Sequence, residues 1–235
     1  MHILLVEDNE ATARSVELIL TSAGHNLTHT TSGEECVELV GIYDYDAVLL
    51  DIDLEDITGA EALREIRIKK IATPVIMLTG SADVDSKVAA LAAGADDYMT
   101  KPFHKAELTA RINAVVRRSR GHIASVIRTG AIALNLDTRQ AEVAGTPIHL
   151  TPSEYKMLEL LSLRKNTVLT KEACLNHLYN GMSEPEIKII DVFICKLRKK
   201  IAAAAGGDSQ IETVWGGGYM LRDAKADAKP QALAA

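Results

Sequence analysis

Short apolar runs that alternate with stretches of helical periodicity organise the first half of the chain. Ile3-Leu4-Leu5-Val6 and Val48-Leu49-Leu50 are strand-length rather than helix-length, and polar residues end each of them. Strands separated by helices imply crossover connections and hence a parallel, doubly wound sheet. Ligands of such sheets gather outside the carboxyl ends of the strands. The second half reads differently. Short alternating stretches lie around Ala131 to Leu136, Gln140 to Val143 and Thr146 to Leu150, followed by helices. Thr151-Pro152-Ser153-Glu154 carries an N-cap and a proline at the first helical position. A second helix is predicted to open near Thr170, and a third near Glu184. In the third, Ile187, Ile190, Ile194, Leu197 and Ile201 recur every three or four residues and define a buried stripe. Gln210 to Leu221 then reads as a hairpin with a glycine-rich turn.

Charge placed just beyond the apolar runs suggests chemistry. Glu7 and Asp8 follow one run, Asp51 follows another, and Lys101-Pro102 comes shortly after Asp97-Tyr98. A single aspartate at a strand end is usually only solvated; three such pieces meeting at one sheet edge form an acidic site with one ammonium. Moving a phosphoryl group onto a carboxylate brings anions together, so a divalent cation and a fixed cation must offset the repulsion. Asp51 is the candidate acceptor. Mg²⁺ takes hard oxygen ligands, for which Glu7, Asp8, Asp51 and the backbone carbonyl of Asp53 suffice.

In the third helix, Lys188, Val192, Cys195, Lys196 and Lys199 fall opposite the apolar stripe. A basic face with small or apolar members suits a DNA major groove, where lysine meets phosphate or guanine and Val192 or Cys195 meets a thymine methyl. Lysine-rich faces are more often merely solvated, and the glycine-rich hairpin that follows tips the reading towards DNA.

These residues carry a resemblance. Glu7-Asp8, Asp51, Gly59, Thr79 in Met77-Leu78-Thr79-Gly80, and the run Gly94-Ala95-Asp96-Asp97-Tyr98-Met99-Thr100-Lys101-Pro102-Phe103 resemble the receiver domain of bacterial two-component response regulators. Leu150-Thr151, Ile190-Asp191-Val192, Leu197-Arg198-Lys199, Trp215-Gly216 and Gly218-Tyr219 resemble the winged-helix effector domain of the OmpR/PhoB class. Three longer stretches, 99–105, 157–165 and 189–200, are similar to the alphaproteobacterial cell-cycle regulators within that class.

The resemblance implies a five-stranded α/β receiver over residues 1–118 and an α+β winged-helix DNA-binding domain over 127–223; the composition shift places a linker over 119–126, and the alternating Ala, Asp and Lys near the end predict a disordered tail over 224–235. The resemblance also implies that Lys101 and Thr79 bind the aspartyl phosphate, that Tyr98 is the aromatic switch, and that Lys101-Pro102 is cis. Phosphate would come from a histidine kinase or histidine phosphotransfer protein. The phosphorylated receiver would form a homodimer through its fourth helix, fifth strand and last helix, pairing Lys87 with Glu107, Asp97 with Arg111 and Asp96 with Arg118. Arg198, Thr213, Trp215 and Arg222 join the residues expected at double-stranded promoter DNA, with RNA polymerase as a further partner. Ala232-Leu233-Ala234-Ala235 resembles a tag read by an ATP-dependent protease. Three departures stand out: Glu55 where receivers commonly carry proline, Asn9 where a third acid is common, and Gly217 where many wings carry arginine.

Composition agrees with two domains. Residues 1–120 hold 12 Lys and Arg against 20 Asp and Glu, and the remainder 14 against 12, so the net charge of −6 hides an acidic front and a weakly basic back. Arg117 to His122 marks the change. Cys36, Cys174 and Cys195 form no metal or redox motif, and no signal peptide or membrane span is evident, which suits the cytoplasm. His2, His25 and His104 read as surface or local hydrogen-bonding groups. No second nucleophile or substrate cleft suggests an enzyme, so self-dephosphorylation is the only catalysis expected. The competing reading is an aspartyl-phosphate module acting mainly through protein partners.

Overall fold

A computed structural model of the chain describes residues 1–80, 88, 92–122, 124–179, 185–207 and 209–223. Strands β1 (His2–Val6), β2 (Asn26–Thr30), β3 (Ala47–Asp51), β4 (Val75–Thr79) and β5 (Asp97–Thr100) form one parallel sheet in the order β2-β1-β3-β4-β5. Helices α1 (Glu10–Ser22), α2 (Gly33–Ile42), α3 (Gly59–Ile68) and α4 (Lys105–Ser119) connect and cover it. β1, β3 and β4 are buried along their whole length, as strands covered on both faces must be. Local signals start the helices. Asn9 caps α1 through Thr12 N, Ser32 caps α2 through Glu35 N, and Thr58 with Glu61 forms a capping box on α3.

The second unit opens with an antiparallel sheet of β6 (Val126–Thr129), β7 (Ile132–Asn135), β8 (Gln140–Val143) and β9 (Thr146–Ile148). β6 is an additional strand that hydrophobic alternation alone does not reveal; pairing with β7 makes it. Helices α5 (Pro152–Leu163), α6 (Lys171–Tyr179) and α7 (Ile189–Ala205) follow, and β10 (Ile211–Val214) with β11 (Gly218–Leu221) closes the chain as a two-stranded hairpin. Thr151 and Glu154 complete a capping box on α5. In α7 the stripe of Ile190, Ile194, Leu197 and Ile201 is buried as expected. Ile187 is a correction. It precedes the helix in a turn and stays exposed, because the helical register that would turn it inward begins only at Ile189.

The two units share a junction at the amino ends of the parallel strands. Asn26 donates to the carbonyls of His177 (2.7 Å) and Leu178 (3.0 Å) and accepts from Lys156 Nζ (2.7 Å). Arg139 donates to Ala23 O at 2.9 Å and lies over the Tyr155 ring at 4.4 Å. Arg164 pairs with Asp44, and the Met1 amine pairs with the buried Glu159 at 3.2 Å. One apolar cluster runs from Ile3, Leu5 and Ala47 through Ile112 and Val115 to Ile127, Tyr155 and Leu158.

Of the three histidines read as surface or local hydrogen-bonding groups, two are buried. His2 is buried against Tyr45, with ring centroids 4.5 Å apart and its Nε2 2.9 Å from Thr28 Oγ1. His25 is buried too, and burial pushes its pKa down to about 2. His104 remains exposed, at the cap position of α4.

Candidate acidic site and nucleic-acid interface

The ends of β1 and β3 bring Glu7, Asp8 and Asp51 together, with one carboxylate oxygen from each within 4.8 Å of the others. Glu7 and Asp51 are buried; Asp8 is half-buried. The end of β5 delivers Lys101, whose ammonium lies 2.6 Å from Glu7 Oε2 and 2.8 Å from Asp51 Oδ2. Its position is set from both sides. Lys101 N donates to Thr79 O at 2.7 Å, and the following bond to Pro102 is cis.

Gly59 explains how the loop after Asp51 closes. A Cβ there would sit 2.0 Å from the Asp51 carbonyl oxygen, so only glycine lets α3 start against the strand end. Beyond the exposed Asp53 and Glu55, Asp56 turns back to accept from Ser32 Oγ (2.7 Å) and from Gly33 N and Glu34 N (both 3.0 Å). Against the upward push of slight burial, these bonds hold its carboxyl below the usual range.

Electrostatics in the cluster follow from burial and crowding. Burial pushes the Glu7 carboxyl up, the Lys101 bond opposes that, and neighbouring Asp51 adds to the rise. Lys101 is raised: burial would lower it, but its bonds to Asp51 and Glu7 prevail. Three acids with one ammonium are therefore short of positive charge. The donor set is all oxygen, from two strand ends, with no histidine or cysteine, and it fits Mg²⁺. Thr79 is buried at the end of β4, in register with Thr100, while Tyr98 is half-buried on β5 and packs against the apolar cluster of Val48, Leu50, Ala62 and Met77.

Lys188, at the N-cap of α7, and Val192, Cys195, Lys196 and Lys199 along the helix are all exposed. Arg198 is directed elsewhere. Its guanidinium donates to Ile211 O at 3.0 Å and Thr213 Oγ1 at 2.8 Å, lashing the helix to the hairpin. Arg222 pairs with Glu212 at 2.9 Å, and Trp215 stands at the hairpin tip. Among the residues expected at a dimer face, Arg111 holds Asp97 (3.0 Å) and Glu107 (2.9 Å) within the same chain. Asp96 accepts from Arg67 at 2.9 Å, and Arg118 reaches Asp96 O at 3.4 Å. Lys87, most of the expected fourth receiver helix and the tail 224–235 lie outside the described residues. The junction residues Asn26, Asp46, Lys156, Arg164 and His177 carried no sequence signal, since their partners lie far away along the chain.

Comparison with known proteins agrees with this geometry. Residues 3–113 match the family described as response regulator receiver domain, and residues 145–221 match that of transcriptional regulatory protein, C terminal. The cell cycle transcriptional regulator CtrA of Caulobacter vibrioides is 62% identical over 95% of this chain and 96% of its own. The chain belongs to the CtrA family of cell-cycle response regulators. The cell cycle response regulator CtrA of Brucella ovis is 58% identical over 99% of this chain and 100% of its own. Among solved structures, the Thermotoga maritima response regulator DrrB, an OmpR/PhoB homolog, is 28% identical over 94% of this chain and 98% of its own, with a TM-score of 0.45. As a CtrA-family protein the chain is a transcriptional regulator of the OmpR/PhoB type that joins a receiver to a DNA-binding domain, which implies a histidine kinase partner and promoter DNA. Among the described residues, no helix is long and apolar enough to cross a membrane.

Proposed function

We propose that Asp51 is the phosphoacceptor and that its phosphorylation switches promoter binding through dimerisation. The observation that carries this reading is the ammonium of Lys101 held between Asp51 and Glu7. An Asp51 oxygen attacks the phosphorus of a phosphohistidine, a P–O bond forms, the P–N bond breaks, and the freed imidazole takes up a proton. Lys101 neutralises charge on the incoming oxygens through a charge-assisted hydrogen bond. Thr79, at the neighbouring strand end, binds the phosphoryl group, and Tyr98 turns inward behind it. Glu7, Asp8, Asp51 and the Asp53 carbonyl would hold Mg²⁺, which supplies charge neutralisation.

The phosphorylated receiver then pairs with a second copy through Asp96, Asp97, Glu107, Arg111, Arg118 and Lys87. Lys188, Val192, Cys195, Lys196 and Lys199 enter the major groove. Arg198 and Thr213 support this surface by holding the hairpin to α7, and Arg222 flanks the hairpin base. RNA polymerase, and an ATP-dependent protease reading Ala232 to Ala235, complete the partners. The protein acts in the cytoplasm, without a membrane, and turns over no external substrate beyond losing its own phosphate.

The test is phosphotransfer from a phosphorylated histidine donor to the wild-type chain and Asp51→Ala, followed by footprinting on duplexes enriched by the wild-type protein. Labelling of the variant at the wild-type rate refutes the acceptor assignment. Absence of any footprint from the phosphorylated wild type favours the protein-partner reading instead.

A further inference from the structure

Between the two domains lies a cavity of about 500 Å³ with walls from both. Small-molecule sites have this size and favour domain interfaces. The receiver supplies the end of α2, with Leu39 and Ile42, and the segment after it, with Tyr43, Asp44 and Tyr45. The effector domain supplies Leu160 and Arg164 around the end of α5, then Leu169, and then Ala173, Asn176 and His177 on α6. Contacts across the boundary fix the frame. Asn26 bonds the carbonyls of His177 and Leu178, and Arg164 pairs with Asp44.

The chemistry of the walls selects an occupant. Leu39, Ile42, Leu160, Leu169 and Ala173 make the lining mostly apolar. Tyr43 and Tyr45 stand edge to face, with centroids 6.3 Å apart and planes at 66°. Tyr45 is buried, whereas Tyr43 is 52% exposed and keeps ring surface for a flat guest. Asp44 and Arg164, the two ions of the wall, already neutralise each other, so a charged guest finds no free counter-charge. Polar recognition falls to the remaining groups. Asn176 is exposed on α6, and its amide makes no hydrogen bond with the described residues, which leaves a donor and an acceptor side by side. Arg164 Nε and His177 Nε2 are buried without a hydrogen-bond partner among the described residues. Buried polar atoms are normally bonded, and these two belong to residues of one wall.

We propose that this cavity binds an uncharged nucleobase or nucleoside, with its flat ring on Tyr43 and its polar edge on Asn176. A side-chain amide donates and accepts in one plane, which matches the adjacent donor and acceptor on the edge of a base. Because one contact comes from each domain, the occupant holds receiver and effector together and stabilises the docked form by mass action. Neither phosphorylation nor DNA is needed for it.

The probes are adenosine, guanosine, cytidine and uridine, titrated calorimetrically into the full-length, unphosphorylated protein. At least one binds with a Kd below about 1 mM and raises the melting temperature. Tyr43→Ala in the receiver and Asn176→Ala in the effector domain each weaken that binding about tenfold, and Tyr43→Phe recovers the loss. Both side chains are exposed, so each variant melts as the wild type does without nucleoside. The monophosphate of the nucleoside that binds best gains nothing over it. Absence of binding by all four nucleosides overturns the proposal. Wild-type affinity in either alanine variant overturns it as well, because ring and edge must both be held. A monophosphate bound more than about tenfold tighter overturns the uncharged mode.

Discussion

Across the junction between the two domains, His177 Nδ1 stands 3.5 Å from Asp46 Oδ2, and both groups are almost completely buried. Burial pushes the His177 pKa down to about 3 against the pull of Asp46, so the imidazole is neutral at physiological pH. His25, in the same junction, lies at about 2, and His2 at about 4. Each is depressed in the folded chain relative to about 6.5 unfolded. The unfolded chain therefore binds more protons as pH falls below about 6.5, and stability is lost progressively from there downwards. Asp46, for which burial is outweighed by His177, the Met1 amine and Arg164, lies at about 2 and adds its own loss only below about 4. Thermal melts between pH 7.5 and about 5 should show a falling midpoint. His177→Gln should flatten that dependence, and an equal slope in the variant would exclude His177 as a source.

Removing Lys101 should expose the charge imbalance of the acidic site. Lys101→Met leaves Glu7 and Asp51 buried beside each other without their shared ammonium. Breaking a buried pair costs about 3–5 kcal/mol, and the partly exposed Lys101 places this case at the lower end. In a chelator the variant should melt well below the wild type, and millimolar Mg²⁺ should return much of the difference. A melting temperature insensitive to Mg²⁺ in both proteins would argue against metal binding by Glu7, Asp8 and Asp51.

Arg111→Glu tests the dimer face. In one chain Arg111 bonds Asp97 and Glu107, all at least partly exposed, so its intrachain worth is at most about 1 kcal/mol. The reversal should leave the fold and phosphorylation of Asp51 intact yet abolish the phosphate-dependent dimer seen by sedimentation. A phosphorylated variant that still dimerises would move the interface elsewhere.

For the basic face of α7, the double variant Lys188→Ala, Lys196→Ala should weaken binding to all duplexes and reduce the steepness of the salt dependence by about one to two units. Both residues are exposed, so the melting temperature should hold. Unchanged affinity would take this helix face out of the interface.

The acidic site is legible in the amino-acid sequence because its parts are strand ends, and a parallel sheet gathers strand ends at one edge whatever the loops do. Gly59 shows the same logic in reverse, since its reason appears only when the Asp51 carbonyl is found 2.0 Å from an added Cβ. On α7 the period of 3.6 separates the buried isoleucines from the lysines, but it does not place the helix start, and Ile187 falls outside it. Arg198 looks like one more basic residue beside Lys199; the neighbouring strand β10 supplies the acceptors that claim it.

Periodicity, caps and charge at strand ends act over a few residues, so the linear order of the chain is enough to specify the two domain types, the acidic cluster and the basic helix face. The junction takes shape only in three dimensions. Asn26 and His177 are 151 positions apart, and Asp44 and Arg164 are 120 apart, with no local pattern to announce either pair. Nothing in the sequence around His2 and His25 announces that both are buried. Burial is a property of what packs against a residue: His2 lies against Tyr45 of its own domain, while Asn26 bonds to His177 and Leu178 of the other.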